Sequence, residues 1–394
     1  MDHTELKQFK TEAHNAIERN HDALRALSRL IHSNPECAMN ERHAVACLTQ
    51  ELEKRDFAIE SGICDMPTAF KASYGSGNPV IAFIAEYDAL PDIGHACGHN
   101  LIATAAVAAA IGSKEAVDKM GGSIQVIGTP AEEVHGGKIM MIEHGAFSGI
   151  DIAMMMHPST CNSATTTALS CVALDIEFFG KEAHAATHPE LGINALDAMI
   201  LSFNCINSLR QHLRSDMRVH GIITDGGSAA NVIPAHSAGR FLVRAGNVAH
   251  MDTLRGRVLD CFKAGAAAAG ARLEYRWNEQ GHFAPMLNNM TMAQLYTHNM
   301  AQLGIHIPVT EPKQSFGSTD MGNVSQIVPS MHALVAIAPA SESEHTHSFA
   351  RYAASDNSLT QSINAAVAMA MTAIDILASP DILCAIKQEF STKH

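Results

Sequence analysis

A chain of 394 residues is longer than one hydrophobic core usually organises, so two domains are expected. With 47% hydrophobic and 17% charged residues, it has the material for a large globular core. A formal net charge of -13 and the absence of any lysine or arginine run disfavour nucleic acid and anionic membrane surfaces as partners.

In chain order, the spacing of Ala13, Ile17, Leu24, Leu27 and Ile31 predicts one long amphipathic helix over 11–31, and Ala44, Leu48 and Leu52 predict a second over 42–55. Short strands follow at 69–74 and 80–85, separated by the turn signal Gly75-Ser76-Gly77-Asn78-Pro79. An alanine-rich helix at 101–111, a strand at 124–129, a helix at 138–144 and a strand at 150–156 continue the alternation. That order implies an α/β domain whose site lies on loops at the strand ends. The texture changes near Leu169: a strand at 172–178, a helix at 194–213, strands at 219–224 and 237–244, a helix at 250–269 and a strand at 272–277. This is the split order of a small α+β sandwich, read as an insert. Helices at 292–303 and 356–377 and a strand at 332–337 then return to the first texture, and the charged tail is expected to fray. The expected division is 1–168 with 283–394, around an insert at 169–282.

The N-terminal Met1-Asp2-His3-Thr4-Glu5-Leu6-Lys7 lacks the pattern of a secretory signal, and no uninterrupted apolar run reaches the roughly 18 residues of a membrane span. Nine cysteines without a framework of spacings suit small buried hydrophobes in a reducing compartment. A soluble, cytoplasmic protein is the expectation.

The segment His95-Ala96-Cys97-Gly98-His99-Asn100 places a thiol and an imidazole two residues apart, both good donors to a borderline-soft divalent metal. Glu132-Glu133 follows the strand at 124–129, His157-Pro158 follows that at 150–156, and His345-Thr346-His347 lies in a polar loop. Singly, each has an ordinary structural reading: a buried Cys-Gly-His, a solvated carboxylate pair, a packed imidazole, an exposed imidazole. Four separate loops all presenting donor residues point instead to one assembled metal site. Two adjacent carboxylates suit it if one binds metal and the other takes a proton from water whose pKa the metal lowers, and then passes it to a leaving amine. This is amide hydrolysis without a covalent enzyme intermediate.

Seven segments, in order across nearly the whole chain, carry a family resemblance: Glu86-Tyr87-Asp88-Ala89-Leu90-Pro91, the Cys-Gly-His segment, Gly128-Thr129-Pro130-Ala131-Glu132-Glu133, Gly180-Lys181-Glu182-Ala183-His184-Ala185, Asn231-Val232-Ile233-Pro234, Gly317-Ser318-Thr319-Asp320 and His345-Thr346-His347-Ser348-Phe349. The chain resembles the dinuclear aminoacylase and carboxypeptidase metallohydrolases. Within them it is similar to the amidohydrolase branch that includes hippurate hydrolase, auxin-conjugate hydrolases and p-aminobenzoyl-glutamate hydrolase. The resemblance implies an α/β mixed-sheet catalytic domain with an inserted α+β, ferredoxin-like dimerisation (lid) domain, and a homodimer. It implies Cys97, His99, Glu133, His157 and His345 as ligands of two divalent metal ions, with Cys97 between them. Zinc or manganese is foremost, with cobalt or nickel as alternatives. Glu132 becomes the general base, and Asp88 lies behind the ligands and orients them. His184 and Asn231 would serve the oxyanion and the substrate amide, and Arg244 a substrate carboxylate; whether His184 serves its own subunit or the neighbour's is open. His347 competes with His345 as last ligand, although Thr346 and Phe349 favour the His345 register. Glu86, Asn100 and Thr319 depart from the commoner pattern, as in the p-aminobenzoyl-glutamate hydrolase and dipeptidase-like sub-branch.

The expected activity is metal-dependent cleavage of the amide bond of an N-acyl amino acid or small dipeptide-like substrate, for example an aminobenzoyl-glutamate conjugate. The alternatives are a ureido or allantoate-type amidohydrolase, and a relative that binds metal or amino acid without turnover.

Overall fold

The computed structural model describes residues 2–278, 281–307 and 317–393. The described residues fall into two compact units, one drawn from 1–166, 287–313 and 323–394, the other from 167–286 and 314–322.

The first unit begins with α1 (His3–Arg19), α2 (His21–Ser33), α3 (Arg42–Glu53), β1 (Ala58–Ser61), β2 (Phe70–Ser76), β3 (Val80–Glu86), α4 (His99–Met120), β4 (Gly122–Thr129), α5 (Glu132–His135), α6 (Gly137–Glu143) and β5 (Ile152–Ser159). The single helix expected over 11–31 is two. The chain breaks at Asn20, whose Nδ2 donates to Ala16 O at 2.8 Å while its Oδ1 accepts from Arg55 at 2.7 Å. Periodicity conceals the break, because Ala13 and Ile17 before it and Leu24, Leu27 and Ile31 after it are all buried. The alanine-rich helix runs well past its expected end. Apolar on every side, α4 is buried along most of its length and packs on α12 (Asp356–Ala378) and β3.

The second unit holds β6 (Ser170–Phe179), α7 (Ala195–Arg210), β7 (Arg218–Asp225), β8 (His236–Ala245), α8 (Val248–Ala269) and β9 (Arg272–Trp277). Its sheet is ordered β7-β8-β6-β9 and is antiparallel throughout, the ferredoxin-like arrangement. Alternation along β6 sends Val172, Leu174, Ile176 and Phe178 into one core with Ala198, Met199 and Phe262 of the two helices.

The chain then returns through α9 (Met290–Gln302), α10 (Met321–Ser325), β10 (Ser330–Ala336), α11 (His347–Ala353), α12 and α13 (Pro380–Thr392). The first unit's sheet is ordered β1-β2-β4-β3-β5-β10, with β4, β3, β5 and β10 parallel and β1 and β2 antiparallel at one edge. Strands β2 and β3, consecutive in sequence, are separated by β4. Among the described residues α12 alone has the length and apolar composition of a membrane span, and it is mostly buried inside the fold. Lys10 of α1 ties it to α9, donating to Asp375 and to Asn299, each at 2.8 Å.

Two further expectations need correcting. The charged tail does not fray: Ser379 caps α13, and the Glu389 carboxylate accepts from Met290 N at 2.7 Å and Thr291 N at 2.9 Å, capping α9. His157-Pro158 is not a loop after a strand, because β5 continues to Ser159, with His157 opposite Leu334 of β10. Strand β3 pairs with β5 only as far as Met154, so Pro158 interrupts no ladder on that side.

Candidate metal centre

Three chain reversals deliver the donors. Gly98 takes the left-handed conformation (φ 76°) before α4, and a Cβ there would lie 2.8 Å from Pro158 Cγ, so glycine is required both for the turn and for the close approach. His99 thereby becomes the first residue of α4 and is fully buried. Ala131 adopts φ 59° and opens the one-turn helix α5, which carries Glu132 and Glu133. His345 has φ 62°, and its N–H donates to Ala96 O at 3.0 Å, which seats it over the Cys97 loop.

Donor atoms of Cys97, His99 and His157 lie within 4.8 Å of one another, and so do those of Cys97, Glu133 and His345. Cys97 is common to both trios. Glu132 joins His99 and Glu133 in a third cluster of the same span. His347 opens α11 and belongs to none of these clusters among the described residues. Asp88 touches two of the donor residues: Oδ1 is 3.0 Å from His99 Nδ1, and Oδ2 accepts from Glu133 N at 3.1 Å. His157 Nδ1 donates to Pro158 O at 2.7 Å, which leaves Nε2 as the unprotonated ring nitrogen of the neutral imidazole, the one able to coordinate.

His99 Nε2 lies 3.7 Å from both Glu133 Oε1 and Glu86 Oε2, beyond hydrogen-bond distance. All three atoms are buried without a hydrogen-bond partner. Two donors each about 2.1 Å from one ion stand roughly 3–3.7 Å apart, so the orphaned atoms and the N, O and S donor set fit a divalent cation. Burial pushes the Cys97 thiol well above its ordinary range. A bound cation reverses that preference. Asp88→Asn is expected to weaken divalent-metal affinity about 10–100-fold, read by chelator competition; unchanged affinity would mean that the carboxylate orients nothing.

Beneath the donors lies a pair that sequence reasoning noted only in half. Glu86 Oε1 accepts from Lys138 Nζ, and both side chains are fully buried. Burial alone would raise the Glu86 pKa, but the Lys138 charge, with His99 and His157, outweighs it and holds the carboxyl well below the usual carboxylate range. No periodicity marks Lys138 as an interior cation. His332 was also missed: its ring centroid is 5.6 Å from that of His157, and burial depresses its pKa to about 3, which keeps it a neutral packing group.

His184, Asn231 and Arg244 belong to the second unit. His184 Nδ1 accepts from Ala186 N and Thr187 N, both at 3.2 Å, so Nε2 carries the proton and is a donor. Ala185 N donates to Asn231 O at 3.0 Å, which brings the His184 and Asn231 segments side by side. Arg244 is not brought to them. It donates to Ser318 Oγ at 2.9 Å and sits opposite Cys171, whereas the His184 segment leaves the sheet beyond Phe179. Cys171 and Phe179 are eight residues apart on β6, about 26 Å at strand rise.

The profile of Peptidase family M20/M25/M40 matches residues 82–372. Over 99% of this chain and 94% of its own length, the Xaa-Arg dipeptidase of Homo sapiens is 36% identical. The N-acetyl-L-cysteine deacetylase of Bacillus subtilis (strain 168) is 30% identical over 66% of this chain and 67% of its own length. Among solved structures, a dinuclear metal-binding peptidase of the M20 family from Bacillus subtilis is similar with a TM-score of 0.70 at 20% identity, covering 91% of this chain and 99% of its own, a likeness of fold.

Proposed function

The chain belongs to peptidase family M20/M25/M40, and on that footing we propose that it is a two-metal dipeptidase acting on small peptides with a cationic C-terminal residue. It is a metal-dependent hydrolase of the amidohydrolase and dipeptidase type, acting on an N-acyl amino acid or dipeptide. The observation that carries the reading is the pair of donor trios sharing Cys97, with the second carboxylate of Glu132-Glu133 beside them. The choice of peptide is supported by the 36% identity to an Xaa-Arg dipeptidase along nearly the whole chain, and by a net charge of -13 that attracts a cationic substrate.

Cys97, His99 and His157 would hold one ion, and Cys97, Glu133 and His345 the other; when bound, such a pair supplies Lewis acidity to a carbonyl and to water. Glu132 takes the proton of the attacking water and returns it to the leaving amine. His184 Nε2–H and the Asn231 amide donate to the oxyanion, and Arg244 holds the substrate carboxylate through a fork of hydrogen bonds. One small substrate cannot span the roughly 26 Å of β6 that separates Arg244 from the His184 and Asn231 segments within one chain. A homodimer in which His184 and Asn231 serve the neighbouring subunit resolves that distance. Nine free thiols, Cys161 and Cys384 among them exposed, suit a reducing cytoplasm. The Cys97 thiolate favours zinc, with manganese as the second choice.

The test joins metal analysis of protein purified without chelator to a panel of Xaa-Arg and Xaa-Lys dipeptides, N-acetyl amino acids, p-aminobenzoyl-glutamate and ureido acids. The expected result is two equivalents of metal and release of arginine or lysine that stops on chelation and resumes with zinc or manganese. Preference for the aminobenzoyl conjugate would overturn the cationic substrate, and release of ammonia would favour the ureido reading. Metal binding without turnover would make the chain a binding relative.

A further inference from the structure

The loop before α3 supports two parts of the centre at once, although none of its residues belongs to the donor clusters there. Glu36 O accepts from Ala89 N at 2.8 Å, beside Asp88. Five residues on, the Glu41 side chain is completely buried, and its Oε1 accepts from Met39 N at 3.0 Å and from Ala131 N at 2.9 Å. Ala131 is the residue whose φ of 59° turns the chain from β4 into α5. A left-handed backbone at a residue bearing a Cβ is costly, by about 1 kcal/mol or more, and persists only where its surroundings over-determine it. The carboxylate is thus spent on a backbone N–H next to the acidic pair. The other end of the same loop is fixed by Glu36, whose carboxylate accepts from His43 N and Ala44 N at the start of α3, at 2.9 and 3.0 Å.

We propose that Glu41 is a positioning residue for the hydrolytic centre: by accepting from Ala131 N–H it holds the left-handed turn that aims Glu132 and Glu133. This rests on the role proposed for Glu132. What matters is an acceptor oxygen at that point, not the negative charge, because both donors to Oε1 are backbone N–H groups and no cationic side chain among the described residues is bonded to Glu41. Glutamine presents the same oxygen at the same reach. Aspartate keeps the charge and draws the oxygen back by one methylene.

The experiment compares Glu41→Gln with Glu41→Asp in the full-length, metal-loaded protein, with dipeptide turnover, metal affinity by chelator competition and thermal unfolding as readouts. Glu41→Gln is expected to stay within about threefold of wild type in kcat, whereas Glu41→Asp is expected to lose about 10²-fold in kcat with KM little changed, as for a misplacement of about 1 Å at a reacting group. Metal affinity should fall in the aspartate variant alone, because Glu133 rides on the same turn. A folded Glu41→Asp with wild-type kcat, or a folded Glu41→Gln as impaired as the aspartate variant, overturns the proposal. Should Glu41→Asp not fold, Glu41→Gln alone decides: retained turnover supports the proposal and lost turnover sinks it. A wild-type protein without chelator-sensitive turnover would be a failure of the proposed function, distinct from a failure here.

Discussion

Glu132→Gln is expected to lower kcat about 10²–10⁴-fold, or about 3–5 kcal/mol of barrier, while two equivalents of metal remain bound. The amide keeps the size of the side chain and an oxygen able to accept a hydrogen bond, but it has no basic site for the proton of the attacking water. KM should change little, because the groups proposed to hold substrate are His184, Asn231 and Arg244. The position of Glu132 makes the metal readout decisive. It lies in one cluster with His99 and Glu133, so a carboxylate acting as a ligand would also impair turnover when removed. Loss of one metal equivalent with the activity would make Glu132 a ligand. Retained metal with wild-type turnover would leave the proton transfer to another group. In the neighbouring Glu133→Gln variant the expectation is inverted, with metal affinity lost first and activity recovered in part at high metal concentration.

What the sequence reveals of this centre depends on how far each residue's role can be read locally. Strands β3, β4 and β5 and helix α4 were legible because buried parallel strands are continuous apolar runs and a helix buried on all sides is rich in small apolar residues. The Cys-Gly-His segment was legible because its spacing belongs to one turn of backbone. That donors from separate loops converge was legible from their number, but which residues serve, and His345 over His347 in particular, was legible only through resemblance, in the register that Thr346 and Phe349 favour. Failures arose where tertiary context overrides a local signal. Asn20 breaks a helix whose apolar stripe continues across the break, and Glu389 turns a charged tail into a cap for a distant helix. Glu41 and Lys138 are charged residues of a kind usually exposed, and only the fold places them inside. Their partners lie 90 and 52 residues away, at Ala131 and Glu86, so no window of a few turns contains both ends of either interaction.

Lys138→Met is expected to destabilise the protein by about 3–5 kcal/mol, the usual consequence of leaving a buried charge without its counter-charge. The Glu86 carboxylate would then lie among buried groups with Oε2 already lacking a hydrogen bond. The double variant Glu86→Leu, Lys138→Met removes both charges at similar volume and is expected to recover most of that loss, because an ion pair buried at this depth costs nearly as much to desolvate as its attraction returns. Metal changes the balance. Glu86 Oε2 is 3.7 Å from His99 Nε2, so a divalent ion on that imidazole supplies positive charge close to the stranded carboxylate. The melting temperature of Lys138→Met should therefore lie far below wild type after chelation and much closer to it with metal restored, a larger metal-dependent rise than wild type gives under the same conditions. The pH dependence has a definite sign. In the wild type the carboxyl is held well below its ordinary range by the Lys138 charge, so its contribution is present above the ordinary carboxylate range and is lost as pH falls through the depressed folded value. Without Lys138 the folded pKa rises, the carboxylate protonates at higher pH, and the stability gap between variant and wild type narrows on mild acidification. Equal destabilisation of the single and double variants would identify packing by the lysine stem as the source, and a metal-independent loss would place the ion too far from Glu86 to act on it.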